Sequence, residues 1–229
     1  MDGLRSIVIL AAALLLTACQ SPSPAIDDLS DSASIAPTTS FGPTSDVIRA
    51  STAMPSGSAV TPPSGYVAFC GRDPDQCAAP GGDVPVVALD SAVWHTLGQV
   101  NTAWNTAVKP LSDSAHYGRV DYWTIPQDGY GDCEDYALGK RKSLVDLGLP
   151  AQALRLTIAR TSDGTAHTVL VVTTDRGDYV LDNLNPAILP WTAINYTWIA
   201  RQVPGQAQWA SIGPAANPNR QFASARIAP

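Results

Sequence analysis

Basic charge is scarce in this chain. Of 229 residues, 14 are Lys or Arg against 20 Asp or Glu, a formal net charge of −6, and no segment gathers the basic residues together. A protein that holds nucleic acid through phosphate contacts needs such a cluster, so that class of partner is excluded. Long hydrophobic runs are missing too: the longest, Ile7 to Leu16, has ten apolar residues, about half of what a bilayer-spanning helix requires. No internal repeat is visible. Cysteine and histidine are few, four and three, and no second Cys or His pair stands where it would complete a tetrahedral metal site. What is present is a chain 45% hydrophobic, enough for a real core, with 19 Pro that point to a part outside it.

Arg5 precedes the apolar run, which ends in Leu16-Thr17-Ala18-Cys19. The length of the run matches a signal-peptide core, and its ending resembles a bacterial lipobox, in which cleavage before the Cys leaves a thiol that carries diacylglycerol. A signal over 1–18 and a lipid anchor at Cys19 are therefore expected, with an ordinary secretory signal as the competing reading. Gln20 and Ser21 follow, without the Asp that commonly retains a lipoprotein in the inner membrane. The expected location is the periplasm, or the periplasmic side of the outer membrane. Residues 19–64 are rich in Ser, Thr, Pro and Ala and read as a disordered tether. Residues 204–229 read as an irregular tail in which Trp209, Ile212 and Phe222 are isolated anchors. The folded unit is then expected at 65–203.

Cys70 and Cys77 flank a segment full of turn formers. In an exported protein such a pair reads as a disulfide closing a small loop, with metal ligation as the other reading. That leaves Cys133 without a structural partner. Val93, Leu97, Val100 and Trp104 recur at helical spacing and predict a helix from Ser91 to about Ala107, capped by Asp90 or Ser91. A second helix is predicted to open near Cys133 after Gly129-Tyr130-Gly131-Asp132 and to stop at Gly148 with Pro150 beyond. Leu154 to Ile158, Thr168 to Val172 and Tyr179 to Leu181 predict strands joined by Asp-Gly and Asp-Arg-Gly-Asp turns, with a fourth at Trp198 to Val203.

This layout puts a thiol in the first turn of a helix, where the dipole favours thiolate, with His167 at the start of one strand and Asp182 at the end of the next. A His beside the thiol and a carboxylate behind the His make a nucleophilic site. Each residue alone has a plainer reading, Cys133 as a small buried side chain and His167 as a structural one; the ordered set favours catalysis. His95 and His116 lack such a setting and read as surface or helix-face residues.

Gly131-Asp132-Cys133-Glu134-Asp135-Tyr136-Ala137, Lys140-Arg141, Leu147-Gly148-Leu149-Pro150, Ala166-His167-Thr168-Val169-Leu170 and Gly177-Asp178-Tyr179-Val180-Leu181-Asp182-Asn183 together resemble the bacterial transglutaminase-like cysteine proteinases, the LapG-like periplasmic proteases among them. Val100-Asn101 and Asp121-Tyr122-Trp123 add to the likeness, which spans about 65–203. The resemblance implies an α+β, papain- or transglutaminase-like fold with the nucleophile at a helix N-terminus against an antiparallel sheet, and a Cys133, His167, Asp182 triad.

It also implies calcium held by the acidic residues flanking the nucleophile, here Asp132 and Glu134; Asn183, next to Asp182, is a further candidate as ligand or polar support. From the residues themselves, Asp132 as an N-cap and Glu134 and Asp135 as dipole partners is an equal reading. The implied activity is endoproteolysis of a secreted or surface protein, such as an adhesin. Acyl transfer to an amine by the same triad, or a retired peptide-binding module tethered to the envelope, are the alternatives.

Overall fold

The computed structural model describes residues 50–78, 85–204 and 208–213, all within one compact unit. The expected signal over 1–18, the Cys19 anchor, the tether as far as residue 49 and the tail from residue 214 lie outside the described residues. The elements run β1 (Ala59–Val60), α1 (Ser64–Arg72), α2 (Pro74–Cys77), α3 (Ser91–Ala107), β2 (Lys109–Pro110), α4 (Asp113–Tyr117), β3 (Tyr130–Gly131), α5 (Cys133–Asp146), β4 (Leu154–Arg160), β5 (Ala166–Thr174), β6 (Gly177–Leu181), β7 (Leu189–Pro190), β8 (Thr197–Gln202) and β9 (Trp209–Ser211). Seven strands form one sheet in the order β1-β9-β8-β4-β5-β6-β7, and each neighbouring pair is antiparallel. β2 and β3 pair in parallel as a separate small sheet. This is an α+β architecture.

The central strands read as unbroken apolar runs because both faces of the sheet are covered. Successive strand residues point to opposite faces, and on β5 they divide accordingly. Leu170 and Val172 join a core with Ala137, Leu138 and Leu144 of α5 and Leu97 and Val100 of α3. Val169 and Val171 join a second cluster with Val180 and Met54. The helices pack closely: a Cβ on Gly139 would fall 2.4 Å from the Trp104 ring, and Trp104 Nε1 donates to Ser143 Oγ at 2.9 Å. Asp90 caps α3 by accepting from the Val93 N–H at 2.8 Å.

The ordered unit reaches beyond the 65–203 boundary drawn from composition. Met54 is 1% exposed, its N–H donates to Asp178 Oδ2 at 2.8 Å, and its carbonyl accepts from Arg201, which is itself paired with Asp178 at 2.9 Å. β1 and β9 complete one sheet edge, and Trp209 is buried. Composition misses these segments because main-chain hydrogen bonds hold them, with one large side chain each, and neither leaves a hydrophobic period to read. Gly177 (φ 96°) serves the same strap: a Cβ there would meet the Ser51–Thr52 backbone at 2.5 Å. Cys70 and Cys77 are joined by a disulfide, tying the end of α1 to α2.

Candidate active site

Cys133 is the first residue of α5, half-buried, and the free cysteine among the described residues. The approach to it is tight: a Cβ on Gly131 would lie 2.7 Å from Asp135 Oδ2, so the chain can enter the helix this way only with glycine there. The thiol donates to Glu134 Oε2 at 3.0 Å. Helix position alone favours thiolate, but the surroundings reverse that expectation. Burial pushes the Cys133 thiol well up, the charges of Glu134 and Asp132 and the Glu134 hydrogen bond add to it, and the Thr168 backbone N–H opposes them. These surroundings favour the thiol form of Cys133 over the thiolate.

The carboxylates responsible form a cluster. Asp113, Asp132 and Glu134 each present an oxygen, and these oxygens lie within 4.8 Å of one another. Asp113 Oδ2 accepts from the Tyr122 N–H, and Asp132 Oδ2 accepts from the Asp113 N–H at 3.2 Å. Asp113 Oδ1 and Asp132 Oδ1 are buried with no partner. Burial, then the Asp113 charge, pushes Asp132 up to about 6, and burial followed by the Asp132 charge pushes Glu134 well above the carboxylate range. Asp135 has a different job. It is fully buried, accepts from the Thr124 N–H at 2.8 Å and the Asp132 N–H at 3.4 Å, and so ties the 121–124 segment to the helix start; burial raises it to about 8.

Across from the helix start, β5 and β6 present the other two candidates. Their register pairs Leu170 with Leu181. One residue further along, Asp182 falls opposite Val169, diagonal to His167 and on the same face. His167 Nε2 and Asp182 Oδ1 are 2.7 Å apart, with the two side chains 4% and 1% exposed. That bond occupies Nε2 and leaves Nδ1 as the other ring nitrogen. Thr168, whose N–H acts on Cys133, is the next residue along β5, so the helix start and the strand start converge at the sulfur. Asp182 is well supplied with donors: Leu184 N–H to Oδ1 at 2.9 Å, Tyr196 hydroxyl to Oδ2 at 2.7 Å, and Asn105 Nδ2 to its carbonyl at 2.8 Å. Burial alone would raise it, but the His167 bond and charge together with the Leu184 and Tyr196 donors outweigh burial and hold the carboxyl below the usual carboxylate value.

The structure thus brings Cys133, His167, Asp182, Asp132 and Glu134 to one end of α5 and β5. Asn183, directly after Asp182, has no hydrogen bond or ion pair to the cluster. His95 is exposed on α3, and His116 pairs with Asp128 at 2.8 Å while stacking on Tyr117. Two residues were not anticipated. Asp113 lies in a turn-rich stretch with no helical or strand period to place it, and Tyr196 follows a turn and reaches Asp182 only through tertiary folding.

A family model, that of the bacterial transglutaminase-like cysteine proteinase BTLCP, matches residues 56–217. Among solved structures, Legionella pneumophila LapG is 31% identical, with 52% of this chain and 68% of LapG covered and a TM-score of 0.45. Calcium-bound LapG from the same organism is 30% identical, with 54% and 73% covered and a TM-score of 0.46. The EGTA-treated form is 30% identical, with 54% and 70% covered and a TM-score of 0.47. Curated proteins give no match.

Proposed function

Because the chain belongs to the bacterial transglutaminase-like cysteine proteinases, and is a cysteine peptidase of that fold, we propose that it cleaves an exported or cell-surface protein through Cys133, His167 and Asp182 in a calcium-responsive way. The observation that carries the triad is the buried His167–Asp182 bond of 2.7 Å, which fixes the imidazole tautomer and leaves Nδ1 for the thiol.

Each group has a task. Cys133 Sγ attacks the carbonyl carbon of a peptide bond as its proton passes to His167 Nδ1, giving a tetrahedral oxyanion. The Cys133 backbone N–H, unpaired at the first turn of α5, is a donor for that oxyanion. His167 then delivers the proton to the leaving amine, and a thioester remains. Water, deprotonated by His167, hydrolyses the thioester and restores the thiol. Asp182 keeps the imidazole aimed and balances the imidazolium charge.

The acidic cluster fits a calcium ion. Its ligands are hard carboxylate oxygens, and two of its buried oxygens, Oδ1 of Asp113 and Oδ1 of Asp132, have no hydrogen-bond partner, which is costly unless a cation supplies it. Asp113, Asp132 and Glu134 would hold it. Bound there, calcium offsets the negative charge that keeps the Cys133 proton in place. The calcium-bound form of LapG agrees with this reading.

Export fits the Cys70–Cys77 disulfide, since such bonds persist in oxidising compartments, and it fits the expected signal and lipid anchor at Cys19. The deciding experiment compares proteins released from the surface of cells carrying wild-type enzyme with those from cells carrying Cys133→Ala. Loss of a specific cleaved product in the variant is expected. Identical released sets would overturn the proposal.

A further inference from the structure

Tyr196 touches both members of the His–Asp pair. Its hydroxyl donates to Asp182 Oδ2 at 2.7 Å, and its ring meets the His167 ring edge-on, with centroids 5.7 Å apart and planes at 84°. The ring is anchored from behind by Trp198, at 5.7 Å between centroids, within the cluster that includes Met54, Val169, Val171 and Val180.

The two oxygens of Asp182 are supplied differently. Oδ1 is shared by His167 Nε2 and the Leu184 N–H, whereas the donor recorded on Oδ2 is the Tyr196 hydroxyl. A carboxylate held through one oxygen can swing about its terminal torsion, which is broad and two-fold. Held through both, it has one plane, and His167 then has one direction in which to donate. We propose that Tyr196 is a positioning residue of the catalytic pair, its hydroxyl fixing the plane of the Asp182 carboxylate and its ring edge fixing the His167 imidazole and keeping water from the bond between them.

The hydroxyl suits that task. Burial and the neighbouring Asp182 charge push its ionisation up, so it stays a donor over the whole working range of a peptidase. The charged and titratable groups facing Asp182 are His167 from β5, Tyr196 itself and, through its charge, Lys140 from α5; Tyr196 is the member of this set that reaches both partners. The inference rests on the triad reading above, because a positioning residue matters only if the pair it positions is used.

The test is the exchange of the His167 Nε2 proton with water, read by proton and nitrogen NMR on the full chain with labelled histidine. Wild type should show a downfield, slowly exchanging resonance. Tyr196→Phe, which keeps the ring and its packing, should raise the exchange rate roughly tenfold, the equivalent of one charged hydrogen bond, and Tyr196→Leu should raise it further. Asp182→Asn serves as the reference. If it leaves the resonance and its exchange as in wild type, the His–Asp pair itself fails. If it abolishes the resonance while Tyr196→Phe exchanges at the wild-type rate, the role of Tyr196 alone is overturned. Should the Phe variant not fold, 3-fluorotyrosine at position 196 keeps the shape and strengthens the donor. Slower exchange than wild type is then expected, and unchanged exchange refutes the proposal.

Discussion

On the sheet side of the site each Asp182 oxygen has a donor, from His167 and Leu184 on one and Tyr196 on the other. On the helix side Asp113 and Asp132 each keep a buried oxygen with none. The burial is similar and the outcome is opposite: Asp182 is held below the ordinary carboxylate value, while Asp132 and Glu134 are pushed above it. The charge of the neighbours makes the difference as much as the donors do: Asp135, with a backbone donor on each oxygen but other carboxylates beside it, is still pushed up, whereas Asp182 has His167 beside it as well as its donors. The His–Asp half is complete as folded, whereas the helix half keeps unpartnered carboxylate oxygens that, on the reading proposed above, a calcium ion would satisfy.

Breaking the complete half should have the larger effect. Asp182→Asn keeps shape and burial but removes the charge behind His167 and lets the ring adopt the other tautomer. Turnover of the surface protein identified by release should fall by roughly 10²–10⁴-fold. A rate within threefold of wild type would dissociate Asp182 from the chemistry. The unfinished half should respond instead to calcium. EGTA should inhibit wild type, and Asp113→Asn or Asp132→Asn should raise the calcium needed for half-maximal activity on the order of 10–100-fold. Asp135→Asn sharpens the contrast: its oxygens face the Thr124 and Asp132 N–H groups, so it should lower the melting temperature and leave the calcium requirement near that of wild type. An unchanged calcium response in the Asp113 and Asp132 variants would remove the cluster from consideration.

The complete half was also the legible one. His167 and Asp182 sit on strands joined by a short Asp-Arg-Gly-Asp turn, so strand period and turn position in the sequence nearly determine their register. α5 was framed by Gly129, Gly131 and Gly148, and the placement of Cys133 in its first turn follows from that frame. Asp113 and Tyr196 had no such support, because each reaches the site through long-range folding of an irregular segment. The proton affinity of Cys133 ran opposite to expectation for a related reason. Sequence reveals the helix dipole, which lowers it, but not that Glu134 turns back onto the sulfur at 3.0 Å. Residues 50–60 were hidden because main-chain bonds and the single side chain of Met54 hold them.

Lys140 offers a milder test of the same contrast between supplied and unsupplied charge. It lies about two turns along α5 from Cys133 and is 1% exposed, with Nζ 5.9 Å from the Tyr136 ring centroid. Burial lowers its ionisation to about 7, against the pull of the Asp182 charge. The folded protein therefore favours neutral Lys140, whereas the unfolded chain keeps it charged up to about 10.4. Below pH 7 both states carry the charge and the fold bears the full cost of a buried ammonium. Between pH 7 and about 10 the unfolded state binds the extra proton, so this group makes stability rise with pH. Lys140→Met keeps the aliphatic stem and removes the charge. At pH 6 the variant should be more stable than wild type by on the order of a few kcal/mol, visible as several degrees in melting temperature, and the gap should close as pH approaches 10. If the two proteins melt in parallel across that range, burial does not lower the ionisation of Lys140, which then stays charged in the folded protein as in the unfolded chain, while the His167, Leu184 and Tyr196 donors to Asp182 stand.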